Sequence, residues 1–234
     1  MIVKHPEYLK LWVATFLSAV GRWIYYTILA AYIHDFFDSQ QFAGWVISYM
    51  LPIVLFSPIA GFFVDRYNKK NLIIISILGT GCLPFLLYYF KFLPVIYVLC
   101  IIDTLFSTIL YLSTRSWIKE LTINKQTFIH FHSWLVIGQL LPNIVGSGIG
   151  GYFIRDLSLD TSLLINLFLC LLSLLMIKSL KNIIGVISCS ENFAANIKEG
   201  LLFTWRISFV WNAIICFSIL MFSYSFLNHF FIFY

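Results

Sequence analysis

The feature that most constrains this chain is a series of seven long apolar stretches in which charge is almost absent. They run over Leu9–Phe36, Phe42–Val64, Leu72–Phe90, Phe92–Thr114, Phe128–Ile154, Thr161–Ile177 and Ile207–Phe233. Away from their ends, where Lys10 and Asp35 flank the first, only two hold a charge, Arg22 in the first and Asp103 in the fourth. A helix needs about 20 apolar residues to cross a bilayer, so seven crossings use about 140. The chain has 234 residues and is 61% hydrophobic, about 143 side chains, which leaves little for any other domain. Charged residues make up 11%, against roughly 25% in a soluble domain. A folded protein of this size in water cannot hide that much apolar surface.

This excludes a soluble enzyme, a nucleic-acid reader, a coiled coil and a disordered chain. A transmembrane barrel is excluded too, since barrel strands alternate apolar and polar residues over about 10 positions. The expected fold class is an all-α polytopic membrane protein of about seven transmembrane helices, with the lipid bilayer as partner and no nucleic acid. Pro6, Glu7 and Lys10 precede a first apolar run too long for a cleavable signal, so that run is expected to be the first span. The five cysteines, Cys82, Cys100, Cys170, Cys189 and Cys216, form no CxxC pair and lie mostly in apolar runs. They are expected to pack as small hydrophobes, with no metal site and no cofactor.

Orientation follows from the position of Lys and Arg. With a cytoplasmic N-terminus, the inner segments hold Lys4, Lys10, Arg66, Lys69, Lys70, Arg115, Lys119, Lys125, Lys178, Lys181, Lys198 and Arg206. The outer segments hold Lys91 and Arg155. That is 12 against 2, and with Arg22 in the membrane it accounts for all 15. The positive-inside rule therefore places the N-terminus in the cytoplasm and Tyr234, after seven spans, outside.

The chain also resembles itself. Leu51-Pro-Ile-Val-Leu-Phe-Ser-Pro-Ile-Ala-Gly-Phe-Phe-Val-Asp-Arg66 aligns with Leu141-Pro-Asn-Ile-Val-Gly-Ser-Gly-Ile-Gly-Gly-Tyr-Phe-Ile-Arg-Asp156 at an offset of 90, with six of 16 positions identical. The offset spans three helices, an odd number, so the second copy is inverted in the membrane. The first six helices are thus expected to form a half-bundle of two inverted three-helix repeats. Such repeats are typical of secondary transporters, which handle solute near the bilayer midplane.

Span two ends in Gly61-Phe-Phe-Val-Asp65-Arg66-Tyr-Asn68-Lys69-Lys70. Gly61 permits close helix packing, and Asp65 can bond a neighbouring cation or helix N-terminus. Asn68 is expected in the left-handed conformation of a tight turn, and the two lysines in the anionic inner headgroup layer. This run resembles the loop 2–3 signature of the major facilitator superfamily, G-x-x-x-D-R-x-G-[RK]-[RK], with Asn68 in place of the second glycine. Arg115-Ser-Trp-Ile-Lys-Glu120-Leu is similar to the end of helix four in the branch that exports drugs, macrolides and siderophores. Gly146-Ser-Gly-Ile-Gly150-Gly151 is similar to that branch's G-P-x-x-G-G in helix five, with Ser147 in place of proline. Ile197-Lys-Glu-Gly200-Leu-Leu-Phe resembles its amphipathic run before helix seven.

The resemblance implies an alternating-access transporter that exports a small organic solute by proton antiport across the bacterial cytoplasmic membrane. It implies a cytoplasmic gate in which Asp65 and Arg66 reach Arg115 or Glu120, with Lys69 and Lys70 in the same motif. It implies that Gly146, Gly150 and Gly151 let helix five pack tightly against a helix of the other half, although Ser147 puts an antiporter-specific role for that helix in doubt.

Arg22 lies about 20 Å along the first helix from Leu9 at 1.5 Å per residue, and Asp103 is 11 residues past Phe92. A charge at that depth costs about 2.5–3.5 kcal/mol or more unless it meets a cavity or a partner. Both are expected to face a central cavity and to form an ion pair that solute or a proton breaks, or else to act as a static tie and a protonated acid. Tyr25 and Tyr26, at i+3 and i+4 from Arg22, are candidate cavity liners. The branch often has an acid where Arg22 stands, so a preference for cations does not transfer.

Other classes fit less well. Asp65-Arg66-Tyr67 is a receptor-like tripeptide, but it ends the second helix rather than the third. Span seven has no lysine for a retinal Schiff base, and no intramembrane catalytic pair appears. A non-functional remnant or a purely structural role stays open. The expected organisation is a six-helix transporter half over 1–182, a cytoplasmic linker over 183–206 and a seventh helix over 207–234. A full transporter of the family has twelve spans, so the chain is expected to be half-size or truncated. A second copy or a separately encoded C-terminal half would then supply the rest.

Overall fold

The computed structural model of the chain describes residues 6–121, 125–154, 156, 158–180, 211–212, 215–216 and 218–220. Its helices are α1 (Pro6–Phe36), α2 (Ser39–Arg66), α3 (Lys69–Phe85), α4 (Leu93–Leu121), α5 (Lys125–Tyr152) and α6 (Leu159–Lys178), with a 3₁₀ turn at Leu86–Tyr88 after α3. Among the described residues, six helices are long and apolar enough to cross a membrane. The chain divides into two compact units, Met1–Ser188 and Cys189–Tyr234. In the second, residues 211–212, 215–216 and 218–220 are helical and fall within the seventh apolar stretch. The expected linker over 183–206 lies outside the described residues.

The helices run past the apolar stretches that announce them. Absence of charge marks the part of a helix that meets hydrocarbon, whereas the helix continues into the polar zone until a cap stops it. α1 begins at Pro6, a residue whose missing N–H costs nothing in a first turn. α4 continues seven residues beyond Thr114 to Leu121, because Trp117 and Ile118 are buried against the bundle. At the start of α2, Gln41 Oε1 accepts the backbone N–H of Asp38, one half of a capping box. Asn68 does not take the left-handed conformation. It stands in extended geometry as the N-cap of α3, with φ −61° and ψ 120°, and its Oδ1 accepts the Lys70 N–H at 3.0 Å. Asparagine fits this position because it caps helices well; a glycine could not supply the side-chain acceptor.

Cross-links fix the direction of each helix. We call the end of the bundle where α1 begins the near end, and the opposite one the far end. At the near end the Tyr8 hydroxyl donates to the Phe131 carbonyl at 2.7 Å, joining the starts of α1 and α5. At the far end the Tyr97 hydroxyl donates to the Gln41 carbonyl at 2.7 Å, joining the starts of α4 and α2. Lys91, in the loop before α4, pairs with Asp160 at the start of α6 at 2.7 Å. Successive helices therefore alternate in direction.

The packing has the symmetry that the repeat requires. α1 lies against α5 and α6, α4 lies against α2 and α3, and α3 meets α6. Exchanging the two triplets, α1 for α4, α2 for α5 and α3 for α6, maps this pattern onto itself. Details outside the aligned 16 residues obey it as well. The N-caps Asn68 and Ser158 are 90 residues apart, and so are the carbonyl acceptors Gln41 and Phe131 of the two tyrosine bonds. The first six helices are two inverted triplets.

Two apolar clusters occupy the interior, one around Tyr25, Leu29, Ile96 and Leu163 toward the far end, the other around Leu11, Ile77, Trp117 and Leu174 toward the near end. Between them runs a buried polar layer. There Asn166 Nδ2 donates to the Thr80 carbonyl at 3.0 Å, and within the near-end cluster Ser173 Oγ donates to the Ala14 carbonyl at 2.7 Å. In lipid, apolar burial gives no net drive toward association, so close packing and such polar bonds hold helices together. Half of the apolar stretch of α1 is buried, against 17% for α2 and 22% for α5. α1 is the hub of its side, and α2 and α5 turn much of their apolar surface outward.

The glycines of α5 serve this packing differently from one another. A Cβ at Gly146 would lie 2.6 Å from Trp23 Cβ and 2.9 Å from the Val20 carbonyl oxygen; one at Gly150 would lie 2.9 Å from Thr27 Cβ. Both therefore admit α1 of the same bundle. A Cβ at Gly151 would meet nothing within 4 Å, and neither would one at Gly61. We expect Gly146→Ala to lower stability by about 1–3 kcal/mol through overpacking, and Gly151→Ala to change it by less than about 0.5 kcal/mol. Denaturant unfolding in detergent micelles measures both, and equal losses would contradict this packing.

Candidate functional site

The buried polar layer contains one charged side chain with no exposed surface at all, Asp103 of α4. Three helices surround it, and simple spacing brings their residues to it. Cys100 and Asp103 are one turn apart on α4; Arg22, Tyr25 and Tyr26 share a face of α1; Trp45 and Tyr49 are one turn apart on α2. The Tyr26 hydroxyl donates to Asp103 Oδ2 at 2.7 Å. The other carboxylate oxygen, Oδ1, is buried with no hydrogen-bond partner among the described residues, and the same holds for Trp45 Nε1 and Thr104 Oγ1. Aromatic rings wall the site. Tyr26 lies 4.7 Å from Tyr25, 5.3 Å from Tyr49, 6.2 Å from Trp23 and 6.4 Å from Trp45 between ring centroids.

The expected ion pair between Arg22 and Asp103 is not formed. Arg22 is half-buried and near enough to act electrostatically on Asp103, but it stays beyond ion-pair distance. Tyr26, one turn further along α1, places its hydroxyl against the carboxylate instead. Sequence spacing located Arg22, Tyr25, Tyr26 and Asp103 near one depth but did not find Trp45, Tyr49 or Cys100. Those three carry no charge, so nothing distinguishes them from membrane-packing residues until α2 is seen beside α4.

The motif after α2 makes a second cluster, at the near end. Lys69 Nζ lies 3.1 Å from Glu120 Oε1, with the two side chains 7% and 22% exposed, tying the start of α3 to the end of α4. Lys70 Nζ donates to the Lys178 carbonyl at 3.3 Å and to the Leu180 carbonyl. Those carbonyls end α6, where backbone acceptors lack helical partners and the helix dipole favours a cation. Both lysines are therefore engaged by protein. Arg66 sits over the Phe62 ring at 4.2 Å and Arg115 over the Tyr111 ring at 4.0 Å. Asp65 is exposed, with no ion-pair partner among the described residues. Glu120 is thus held by Lys69 rather than by Asp65 or Arg66.

A six-helix bundle of inverted triplets, a polar interior and this near-end motif together describe one kind of protein. The family model of the Major Facilitator Superfamily matches residues 11–234. The chain belongs to the major facilitator superfamily. It is also similar to an uncharacterized MFS-type transporter, YfiS, of Bacillus subtilis (strain 168), with 23% identity over 157 residues. The match covers 64% of this chain and 36% of that relative, so the chain spans well under half the length of the curated protein it matches.

Removing the Tyr26 hydroxyl leaves both Asp103 oxygens without a donor from α1. We expect Tyr26→Phe to cost about 1–2 kcal/mol, with Tyr26→Phe/Asp103→Asn less than additive in a double-mutant cycle read by unfolding in micelles. At the near end, Lys69→Glu should destabilise through like charges in a mostly buried contact, by up to about 3 kcal/mol. Lys69→Glu/Glu120→Lys should recover most of that loss by restoring an opposite pair; no recovery would sever the two side chains.

Proposed function

We propose that this chain takes part in secondary active transport of a small organic solute by alternating access, with the interior around Tyr26 and Asp103 on the solute route. The observation that carries the proposal is a fully buried carboxylate with one unpartnered oxygen at the meeting point of α1, α2 and α4. A buried polar group left without a partner is costly, so a site of this kind persists where solute or a proton completes it. The inverted triplets supply a frame whose two sides are equivalent, which suits opening first to one side and then to the other.

Export rather than import, and exchange for protons, rest on the likeness of Arg115–Leu121, Gly146–Gly151 and Ile197–Phe203 to the exporter branch. In this proposal the near end is cytoplasmic, in keeping with the charge count, and the membrane is the bacterial cytoplasmic one. The Lys69–Glu120 pair and the Lys70 cap are the contacts of the cytoplasmic gate, with the exposed Asp65 available to a second half-bundle. That half, from a separate chain or from another copy, would cover α2 and α5, where Gly61 and Gly151 leave room for a close approach.

Flux assays test this directly. Vesicles holding the chain, alone and together with a complementary half, should move labelled organic solute only while a proton gradient is maintained. Asp103→Asn should lower that flux at least about tenfold, a loss of about 1.4 kcal/mol of barrier lowering. Flux that survives collapse of the gradient would remove proton coupling, and no flux under either condition would remove transport. Labelling of single cysteines should place Tyr67–Lys70 on the inner face and Lys91 on the outer face.

A further inference from the structure

The contacts around Asp103 leave two opposite charges incompletely satisfied. One is the carboxylate itself, fully buried, with Oδ2 bonded to Tyr26 and Oδ1 bonded to nothing among the described residues. The other is the Arg22 guanidinium, half-buried one helical turn before Tyr26 on the same face of α1 and without hydrogen-bond or ion-pair partner among the described residues. The two do not touch, and the donor from α1 to the carboxylate is the Tyr26 hydroxyl. Four residues separate Arg22 from Tyr26, a rise of about 6 Å. The interior therefore holds a cation and a carboxylate that act on each other electrostatically without meeting.

The surroundings say what would fit. Trp23, Tyr25, Trp45 and Tyr49 pack around the ring of Tyr26, whose hydroxyl bonds the carboxylate. Ring faces attract organic ammonium groups, and Asp103 Oδ1 is an open acceptor for their N–H donors. Arg22 offers the planar fork that binds a carboxylate through two parallel hydrogen bonds. A solute with only a positive charge would leave Arg22 unanswered and be repelled by it. A solute with only a negative charge would meet Arg22 but leave the buried Asp103 oxygen bare and be repelled in turn. Only a molecule that carries both charges meets both requirements at once.

We propose that the solute recognised between α1, α2 and α4 is a small zwitterion with an aromatic or apolar body, its ammonium group at Asp103 and its carboxylate at Arg22. This rests on the reading of that interior as the solute site and adds the chemical class.

Three compounds on one skeleton test it: phenylalanine carries both charges, phenethylamine the positive charge alone, and 3-phenylpropionate the negative charge alone. Binding to the full 234-residue chain in lipid nanodiscs is measured by calorimetry at neutral pH. Phenylalanine should bind at least tenfold tighter than either single-charge analogue. Arg22→Gln should bring phenethylamine level with phenylalanine, and Asp103→Asn should bring 3-phenylpropionate level. Arg22→Lys and Asp103→Glu should keep the preference for the zwitterion, which separates lost charge from lost folding. If Asp103→Asn does not fold, the ratio of the three compounds on the unmodified chain decides alone.

A single-charge compound that binds as tightly as phenylalanine would overturn the proposal. Absence of saturable phenylalanine binding, or a ratio that Arg22→Gln leaves unchanged, would do so too. Zwitterion-selective binding without flux in vesicles would instead overturn the transport function and keep this inference. Flux of single-charge solutes that is indifferent to Arg22→Gln would keep transport and overturn the inference.

Discussion

Hydrocarbon offers a backbone amide no water to bond, and every other property of this chain follows from that lack. Each span must close its own ladder of hydrogen bonds, so it is a helix. Each helix must end where water or a cap takes over, so its termini gather at the two faces of the bundle. Connections between spans are short, two residues between α1 and α2 and two between α2 and α3, so direction alternates without exception among the described helices. What is left to sequence is which helices touch, and through which atoms.

The answer has the form of an exchange. α1 and α4 each occupy the centre of one side, each pressed against the second and third helices of the opposite triplet. Neither triplet is a closed unit, because each contributes its first helix to the core of the other. A side-chain hydrogen bond between α1 and α4, from Tyr26 to Asp103, joins the two hubs at the depth where both apolar clusters end. A polar bond there ties the halves of the repeat together without filling the interior with hydrocarbon.

Much of this was legible before any helix was placed. Charge-free length announced the spans, and a weak internal match announced the repeat, because both depend on many residues at once. Contacts that depend on one atom were not legible. Arg22 and Asp103 invited pairing because they are the two charges at depth, but the rotation of α1 presents Tyr26 to the carboxylate. Asn68 stands where the family favours glycine, and the turn conformation expected of it was wrong because capping competes with left-handed geometry for the same residue. Gly146 and Gly61 look alike in sequence; one admits α1 and the other faces open space, a difference set entirely by which neighbour lies beside each helix. Residues of the linker and most of the seventh stretch lie outside the described part of the chain.

The lysines of the near-end motif carry a last consequence, which concerns time rather than space. Orientation in a membrane is decided while the chain is being inserted, before α3 has found α4 or α6, and a lysine then counts by its charge alone. Once the bundle has closed, Lys69 is matched by Glu120 and Lys70 caps the end of α6, so neither faces the membrane surface as a bare charge. The same two side chains are thus read twice, first by the insertion machinery and lipid as a signal of sidedness, later by the protein as fastenings. Substituting neutral residues there would disturb two stages of biogenesis that a finished structure makes look like one.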